Sequence, residues 1–218
     1  MKVIVACEES QTVCKAFRDR GHEAYSCDVQ TPSGGHPEWH ILGDAVAALR
    51  GGGCVQTMDL CLHDVGRWDL AICHPPCTDL AVSGARLFPE KQKDFRQQKS
   101  IVFFMLMFMA NADRIAVENP VCIMSKCYRK PDQIIQPYEY GHPYIKSTCL
   151  WLVNLPKLNH TKILQKPKNG WINQSFRPDG KYSSFNGKFS GAKVRSKTFQ
   201  GIADAMADQW GSLEGRAE

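Results

Sequence analysis

The sequence lacks the features that would place this protein in a membrane or outside the cell. Its longest uninterrupted apolar run, Ile101 to Ala110, has ten residues. A helix needs about 20 apolar residues to cross a bilayer, so this run predicts a buried helix instead. The amino terminus meets Glu8 and Glu9 before any apolar stretch of signal-peptide length. We therefore expect a cytoplasmic protein.

Paired metal-ligand motifs are also missing. None of the ten cysteines are spaced as Cys-x-x-Cys, the pattern typical of structural zinc sites. Most cysteines lie in or beside apolar runs, and without an export signal reduced thiols are expected. We expect no metal. The zinc alternative would need ligands from one of two sets: Cys54, Cys61 and His63, or Cys122 and Cys127.

Acidic residues are almost absent from one region, residues 157–197. This basic span holds ten Lys or Arg and one acid, Asp179, whereas the rest of the chain holds 17 basic and 21 acidic residues. Basic side chains interleaved with aromatic ones suit phosphate contact and base stacking. The alternative is a solvated lysine-rich loop whose aromatic residues pack into the core. The candidate substrate contacts here are Lys166, Lys168, Trp171, Lys181 and Tyr182.

Apolar strands alternate with helical segments along the chain, which predicts an α/β fold with a doubly wound sheet. Strands are predicted at Lys2–Ala6, His22–Cys27, Asp69–Cys73, Arg114–Val117 and Thr148–Val153. Helices are predicted from a Ser10 cap to near Gly21, at Ala45–Leu49, at Lys91–Ala112 with a deeply buried second half, and at Phe199–Trp210. The length suggests one domain, residues 1–218, in which residues 157–197 form a small insertion.

Candidate reactive groups follow two of the predicted strands. Cys77 comes after Cys73 in a His-Pro-Pro-Cys turn, and Glu118 with Asn119 comes directly after Val117. Ligands of doubly wound sheets bind at the carboxyl ends of strands. A thiol beside a carboxyl suits nucleophilic attack on a ring that is protonated elsewhere. The alternatives are a buried structural cysteine, a salt-bridging surface glutamate and a turn asparagine.

These residues carry a family resemblance. Pro76-Cys77, with Ser83-Gly84 six residues on, and then Glu118-Asn119 resemble the catalytic motifs of the DNA cytosine-C5 methyltransferases. The short phage and prophage members are the most similar, which would place the protein in a bacterial or phage-infected cell. The resemblance spans Val3 to about Leu155 and Thr198 to Gly211. It implies a Rossmann-like methyltransferase sheet, S-adenosylmethionine as cofactor, and duplex or single-stranded DNA as partner.

The resemblance also implies roles for the catalytic and substrate-binding residues. The Cys77 thiolate attacks C6 of cytosine, after which C5 takes a methyl group, and Ser83 contacts the substrate. Glu118 protonates N3, and a strand-end carboxyl in an apolar cleft can have a raised pKa suited to that work. Asn119 fixes Glu118 or a loop. Lys146 takes the position of one of two family arginines that touch the base.

The cofactor pocket is expected around the loop after the first strand. The family has a glycine-rich loop there, whereas this chain has Ala6-Cys7-Glu8-Glu9-Ser10 with no glycine. Amides at the helix start and Ser10 could hold a carboxylate, Asp28 suits ribose hydroxyls, and Asp44 suits an adenine amino group. Each aspartate could instead be a cap or turn acid. The candidate cofactor-binding residues are Cys7, Glu8, Ser10, Asp28, Asp44 and Pro75.

The sizeable target-recognition domain of the family is missing. Only residues 156–198 separate Leu155 from the predicted carboxyl-terminal helix. Two alternatives to a DNA methyltransferase therefore stay open. One is C5 modification of a free cytosine nucleotide, and the other is a catalytically inactive nucleic-acid-binding protein of the same fold.

The basic span should carry the electrostatic part of DNA binding. Replacing Lys166, Lys168 and Lys181 by alanine should flatten the dependence of log affinity on log salt by about one unit for each lysine–phosphate interaction that is removed. Fluorescence anisotropy with a labelled duplex between about 50 and 200 mM salt measures that slope. A triple alanine variant at Lys15, Lys99 and Lys130 is the control. Equal slopes for the two variants would contradict the prediction.

Overall fold

The computed structural model describes residues 1–167 and 197–213. Its strands are β1 (Lys2–Ala6), β2 (Glu23–Asp28), β3 (His40–Leu42), β4 (Cys54–Gln56), β5 (Leu62–Asp64), β6 (Trp68–Cys73), β7 (Ala112–Pro120), β8 (Gln133–Ile135) and β9 (Thr148–Val153). Its α-helices are α1 (Thr12–Arg18), α2 (Ala45–Arg50), α3 (Phe88–Lys93), α4 (Arg96–Leu106), α5 (Met124–Cys127) and α6 (Gln200–Gly211). Short 3-10 helices cover Pro37–Trp39, Val82–Leu87, Met107–Met109 and Pro137–Glu139.

Seven strands form one sheet in the order β3-β2-β1-β6-β7-β9-β8, and β4 pairs with β5 in a separate hairpin. All neighbours in the large sheet are parallel except β9, which runs antiparallel to both β7 and β8. Counted within this sheet, the order is the Rossmann order 3-2-1-4-5-6 with one reversed strand inserted before the last. The predicted doubly wound α/β class, with a Rossmann-like sheet, is confirmed.

Helices cover both faces of this sheet. On one face α1 and α6 pack against Val3, Val5, Leu70 and Ile72. On the other face α2 and α4 pack against the alternate residues of the same strands, such as Ile4 and Ala71. Because side chains alternate along a strand, β1 and β6 are apolar throughout when both faces are covered. The chain reverses its winding between β1 and β6, the point where doubly wound sheets bind ligands.

The predicted helix Lys91–Ala112 is wrong in two respects. It is broken into α3 and α4 at Phe95, whose φ of 61° lies in the left-handed region. Its second half is not deeply buried either, because Val102 is 57% exposed and Met109 is 74% exposed. No helix within residues 1–167 and 197–213 is both long and apolar enough to span a membrane.

The start of α1 also differs from the prediction. Gln11, not Ser10, occupies the cap position, and its side chain makes no capping hydrogen bond. The three-residue strands β3 and β8 were not predicted, because each is too short to show a period. In contrast, α6 buries Ile202, Met206 and Trp210 on one face as expected.

The docking of α6 depends on a glycine. An added Cβ at Gly201 would collide with the backbone carbonyl of Tyr140, and it would lie 3.1 Å from Nε2 of His142. Alanine usually stabilises a helix relative to glycine by up to about 1 kcal/mol. Here Gly201→Ala should instead lower the free energy of unfolding by about 1–3 kcal/mol.

Urea denaturation of Gly201→Ala and Gly53→Ala checks this prediction. An added Cβ at Gly53 has no neighbour within 4 Å, so that variant should stay within about 0.5 kcal/mol of the parent. A stabilised Gly201→Ala protein would show that α6 does not pack this closely against Tyr140.

Candidate active site at the carboxyl edge of the sheet

Three neighbouring strands end at the same level of the sheet. Cys73 pairs with Ala6 of β1 and with Val117 of β7. The backbone N–H of His74 continues the ladder by donating to the carbonyl of Ala6 at 2.9 Å. The residues that follow β1, β6 and β7 therefore emerge side by side at the switch point.

The Pro75-Pro76-Cys77 turn is fastened to β7. Asn119 is buried, and its Nδ2 donates to the carbonyl of Pro75 at 2.7 Å. The carbonyl of Cys77 accepts hydrogen bonds from the amides of Leu80 and Ala81 at 3.0 and 2.9 Å. Cys77 itself is partly exposed. Asn119 therefore holds a loop, the Pro75-Pro76-Cys77 turn, and it lies within β7 and not in a turn.

A buried lysine that the sequence argument missed supports the segment after Cys77. Lys91 of α3 is 4% exposed, and its Nζ contacts the carbonyl of Thr78 and lies 3.3 Å from Oδ1 of Asp79. Gln97 Nε2 donates to the carbonyl of Asp79 at 3.1 Å, and Ser100 Oγ lies 3.3 Å from its Oδ2. Helices α3 and α4 thus hold the chain directly beyond the thiol.

Glu118 faces a histidine across the edge. His74 Nδ1 lies 3.1 Å from Oε2 of Glu118, and the two side chains are only 11% and 12% exposed. Alternation along β6 puts His74 on the same face as Leu70 and Ile72. His74 was not among the sequence-predicted site residues. Its position one residue after the strand was the available signal, but the β6–β7 register that brings it to Glu118 is not visible in the sequence.

The predicted raised pKa of Glu118 is wrong for this structure. Burial does raise its pKa, but the hydrogen bond from His74, the charge of Lys146 and the charge of His74 outweigh that effect. The pKa of Glu118 therefore lies below its ordinary value, and the carboxyl is ionised at neutral pH. Lys146 is 8% exposed and lines a small cleft with Glu118.

That cleft is closed on its other side by α6 and the residues before it. Besides Glu118 and Lys146, its lining consists of Thr148, Thr198, Phe199, Ile202 and Met206. The carboxylate and ammonium groups therefore share a cleft with an aromatic ring and two aliphatic side chains. The cleft has a volume of only about 10 Å³, room for about one water molecule, so it does not hold a base as it stands.

Cys77 and Glu118 both act on a third residue, Cys122. Its thiol pKa is raised to about 11, first by burial and then by the charges of Cys77, Cys127 and Glu118, against a lowering by the Met124 amide. Cys77 and Glu118 are therefore each within electrostatic range of Cys122. The turn that carries Cys77 is joined directly to the end of β7 that carries Glu118, through the hydrogen bond from Asn119 to Pro75.

The loop after β1 replaces glycines with strained residues. Cys7 and Gln11 have φ of 60° and 57°, a conformation that glycine adopts without strain and other residues at a cost of about 1–2 kcal/mol. Glu8 is buried, and its two oxygens accept from the amides of Val13 and Cys14 at 2.6 and 3.1 Å. The expectation that these amides hold a ligand carboxylate is therefore wrong, because the protein's own carboxylate occupies them.

Ser10 is likewise used within the chain, where its Oγ lies 3.1 Å from Oγ1 of Thr12. Asp28 and Asp44 also make contacts within the chain. One oxygen of Asp28 accepts from the Gln30 amide at 2.9 Å, and one oxygen of Asp44 caps α2 through the Val46 amide at 2.9 Å. Each of these bonds uses a single carboxylate oxygen. The predicted turn and cap functions are therefore observed, and among the described residues the second oxygen of each aspartate takes no part in them.

Both aspartates lie near Cys7. Burial raises the pKa of the Cys7 thiol well above its ordinary value, and the charges of Asp28, Cys27 and Asp44 add to that effect. Pro75, the first residue of the Pro75-Pro76-Cys77 turn, is buried. Cys7, Asp28 and Asp44 therefore lie near one another at the ends of β1, β2 and β3.

The remaining predicted residues are less central. Ser83 is exposed in the 3-10 helix Val82–Leu87, and Lys166 is exposed. Lys168, Trp171, Lys181 and Tyr182 lie outside the described residues. Among residues 1–167 and 197–213, no three His, Cys, Asp or Glu side chains come together as a metal site requires, so Cys54, Cys61 and His63 do not form one.

Comparisons with known proteins add little to this geometry. The sequence matches no protein-family model, and it has no match among curated proteins. A crystal structure of a prophage-encoded E. coli protein, described as a DNA modification methyltransferase, is similar with a TM-score of 0.46 and 15% identity. The match covers 79% of this chain and 53% of that protein, so this chain spans about half of its length. A likeness of this size carries no argument about function.

The lowered pKa of Glu118 predicts a pH-dependent contribution to stability. An ionised carboxyl whose pKa is depressed by folding stabilises the protein above the unfolded value of about 4.3, and loses that effect as pH falls through the folded value. Glu118→Gln should therefore be destabilised most near pH 7, and its deficit should shrink as the pH is lowered through about 4.

Chemical denaturation of both proteins across this pH range measures the deficit. The exposed Glu90 of α3 supplies a matched Glu→Gln control. A Glu118→Gln deficit that is constant, or that grows in acid, would contradict the assigned direction of the pKa shift.

Proposed function

We propose that this protein methylates cytosine at C5, in DNA, with S-adenosylmethionine as the donor. The observation that carries the proposal is the pairing of the Cys77 turn with Glu118 at the ends of adjacent parallel strands. The resemblance of these two motifs to those of the cytosine-C5 methyltransferases agrees with it. A thiol on a turn that is held by hydrogen bonds, with a carboxylate on the neighbouring strand, suits nucleophilic addition to a pyrimidine ring.

In this mechanism the Cys77 thiolate adds to C6 of the cytosine, and the displaced ring electrons make N3 basic. Glu118 would exchange a proton with N3. Proton return and loss of the C5 hydrogen then let the thiolate leave. Asn119 keeps the turn fixed through Pro75, while Lys91 fixes the segment beyond it. This preorganisation reduces the motion needed to bring the thiol to the ring.

The residues present fit the nucleoside part of the donor. Asp28 and Asp44 offer carboxylate oxygens beside Cys7 at the ends of β1 and β2, which suits ribose hydroxyls and an amino group. Glu8 and Ser10 make their hydrogen bonds within the chain, so we do not propose them as ligands of the donor. When bound, the donor would supply an electrophilic methyl group.

DNA is preferred as the substrate because of the basic span, residues 157–197. Its excess of positive charge contrasts with a net acidic remainder, so attraction to a polyanion would come from here. A base in a duplex must leave the stack to reach Cys77, which a single strand does not require. The free-nucleotide and inactive-binder alternatives differ from this proposal in the outcome of the next experiment.

Cys77 should form a covalent adduct with DNA that contains 5-fluorocytosine, because fluorine at C5 blocks the final elimination. Denaturing gel electrophoresis and mass spectrometry should find a 1:1 protein–DNA species that maps to Cys77. Cys77→Ser should lose the adduct and all turnover while keeping its melting temperature. Cys127→Ser, which changes another exposed thiol, is the matched control and should retain both.

An adduct that persists in Cys77→Ser would remove the nucleophile from the proposal. Adduct formation with fluorinated dCTP but not with DNA would favour the free-nucleotide alternative. A protein that binds DNA and forms no adduct would favour the inactive alternative.

A further inference from the structure

Because Glu118 is ionised in this structure, the proton that it would give to N3 must come from another group. A carboxyl that protonates N3 must hold a proton when the thiolate attacks, yet in this structure the pKa of Glu118 is lowered. An ionised carboxylate can only accept hydrogen bonds. Nδ1 of His74, which lies 3.1 Å from Oε2 of Glu118, is therefore the atom that carries the hydrogen.

We propose that His74 is the positioning residue that supplies the proton for N3, acting through Glu118 at the end of β7. This inference rests on the proposed function. The contact is built into the fold. The backbone of His74 is fixed to Ala6 at 2.9 Å, and its ring is nearly buried beside Glu118.

The other ring nitrogen of His74, Nε2, is buried and has no hydrogen-bond partner among the described residues. A buried polar atom without a partner costs about 1–3 kcal/mol, and Oδ1 of Asn119, at the same edge of the sheet, is in the same state among the described residues.

Charged groups face His74 from each neighbouring element. Glu118 contacts it from β7. Glu8 lies near it on the loop after β1: burial raises the pKa of Glu8, and the charge of His74 opposes that effect. Lys146, before β9, adds positive charge beside Glu118. The positive charge of Lys146 favours the ionised form of Glu118.

The proton and electron count closes without any further reactant. The thiolate forms the S–C6 bond, the ring electrons move to N3, and Glu118 passes a proton to N3. His74 imidazolium gives its Nδ1 proton to Glu118 and becomes neutral. When the S–C6 bond breaks, N3 returns the proton by the same route.

The test needs no methyl donor. Reversible addition of the thiol makes C5 exchange its hydrogen with solvent, so release of tritium from DNA with [5-³H]cytosine reports thiol addition and N3 protonation alone. The parent should give a bell-shaped pH profile, rising as the thiol ionises and falling as imidazolium is lost.

His74→Asn keeps an amide N–H near the position of Nδ1 but cannot carry a proton. We expect its exchange rate to fall at least about 100-fold and the acid limb of the parent profile to disappear, because Glu118 then takes its proton from solvent and its growing protonated fraction offsets the loss of thiolate. His74→Gln should behave alike and serves if the asparagine variant does not fold. His63→Asn removes an imidazole from the β4–β5 hairpin and should match the parent profile.

The possible results separate this inference from the proposed function. A parent that exchanges C5 hydrogen, with His74→Asn keeping the same profile shape, would overturn the role of His74 and leave the function standing. A parent rate that does not fall on the alkaline side would overturn it too. A parent that neither exchanges hydrogen nor forms the Cys77 adduct would overturn the proposed function and this inference together.

Discussion

The parallel register of β6 against β7 is the constraint on which the site depends. Cys73 opposite Val117 sets His74 opposite Glu118 and leaves Asn119 free to reach back to Pro75. A slip of one residue would turn each of these side chains to the other face of the sheet. Because β1 pairs with β6, the loop after β1, which carries Glu8, lies at the same edge of the sheet. The positions of these strands in the sheet therefore bring Glu8, His74, Glu118 and Asn119 to one edge.

The edge concentrates ionisable groups that are costly to bury. Glu8 and Lys146 are almost fully buried, and the side chains of His74 and Glu118 are nearly so. Their opposite charges and hydrogen bonds offset part of the desolvation cost, but apolar residues of similar size would serve stability as well or better. Clusters of this kind in a cleft are typical of sites that move protons.

The sequence predicts much of the sheet but only part of the site. The strands β1, β2, β6, β7 and β9 have apolar runs long enough to show their period, and reactive groups at their ends follow from the topology rule for such sheets. His74 was missed because its partner is set by register. Glu8 was predicted as a cofactor ligand, and its contact with the amides of α1 was not predicted because its carboxylate reaches five residues ahead to Val13. The break at Phe95 has neither proline nor glycine to mark it, and the buried Lys91 follows from that break.

Nucleoside analysis of the reaction product tests the central claim most directly. The protein is incubated with methyl-labelled S-adenosylmethionine and either duplex DNA, single-stranded DNA or dCTP, and the nucleosides are then separated. The account predicts label in 5-methyl-2′-deoxycytidine from DNA. No incorporated label, label on an exocyclic amino group of cytosine or adenine, or a preference for dCTP over both DNA forms would contradict it.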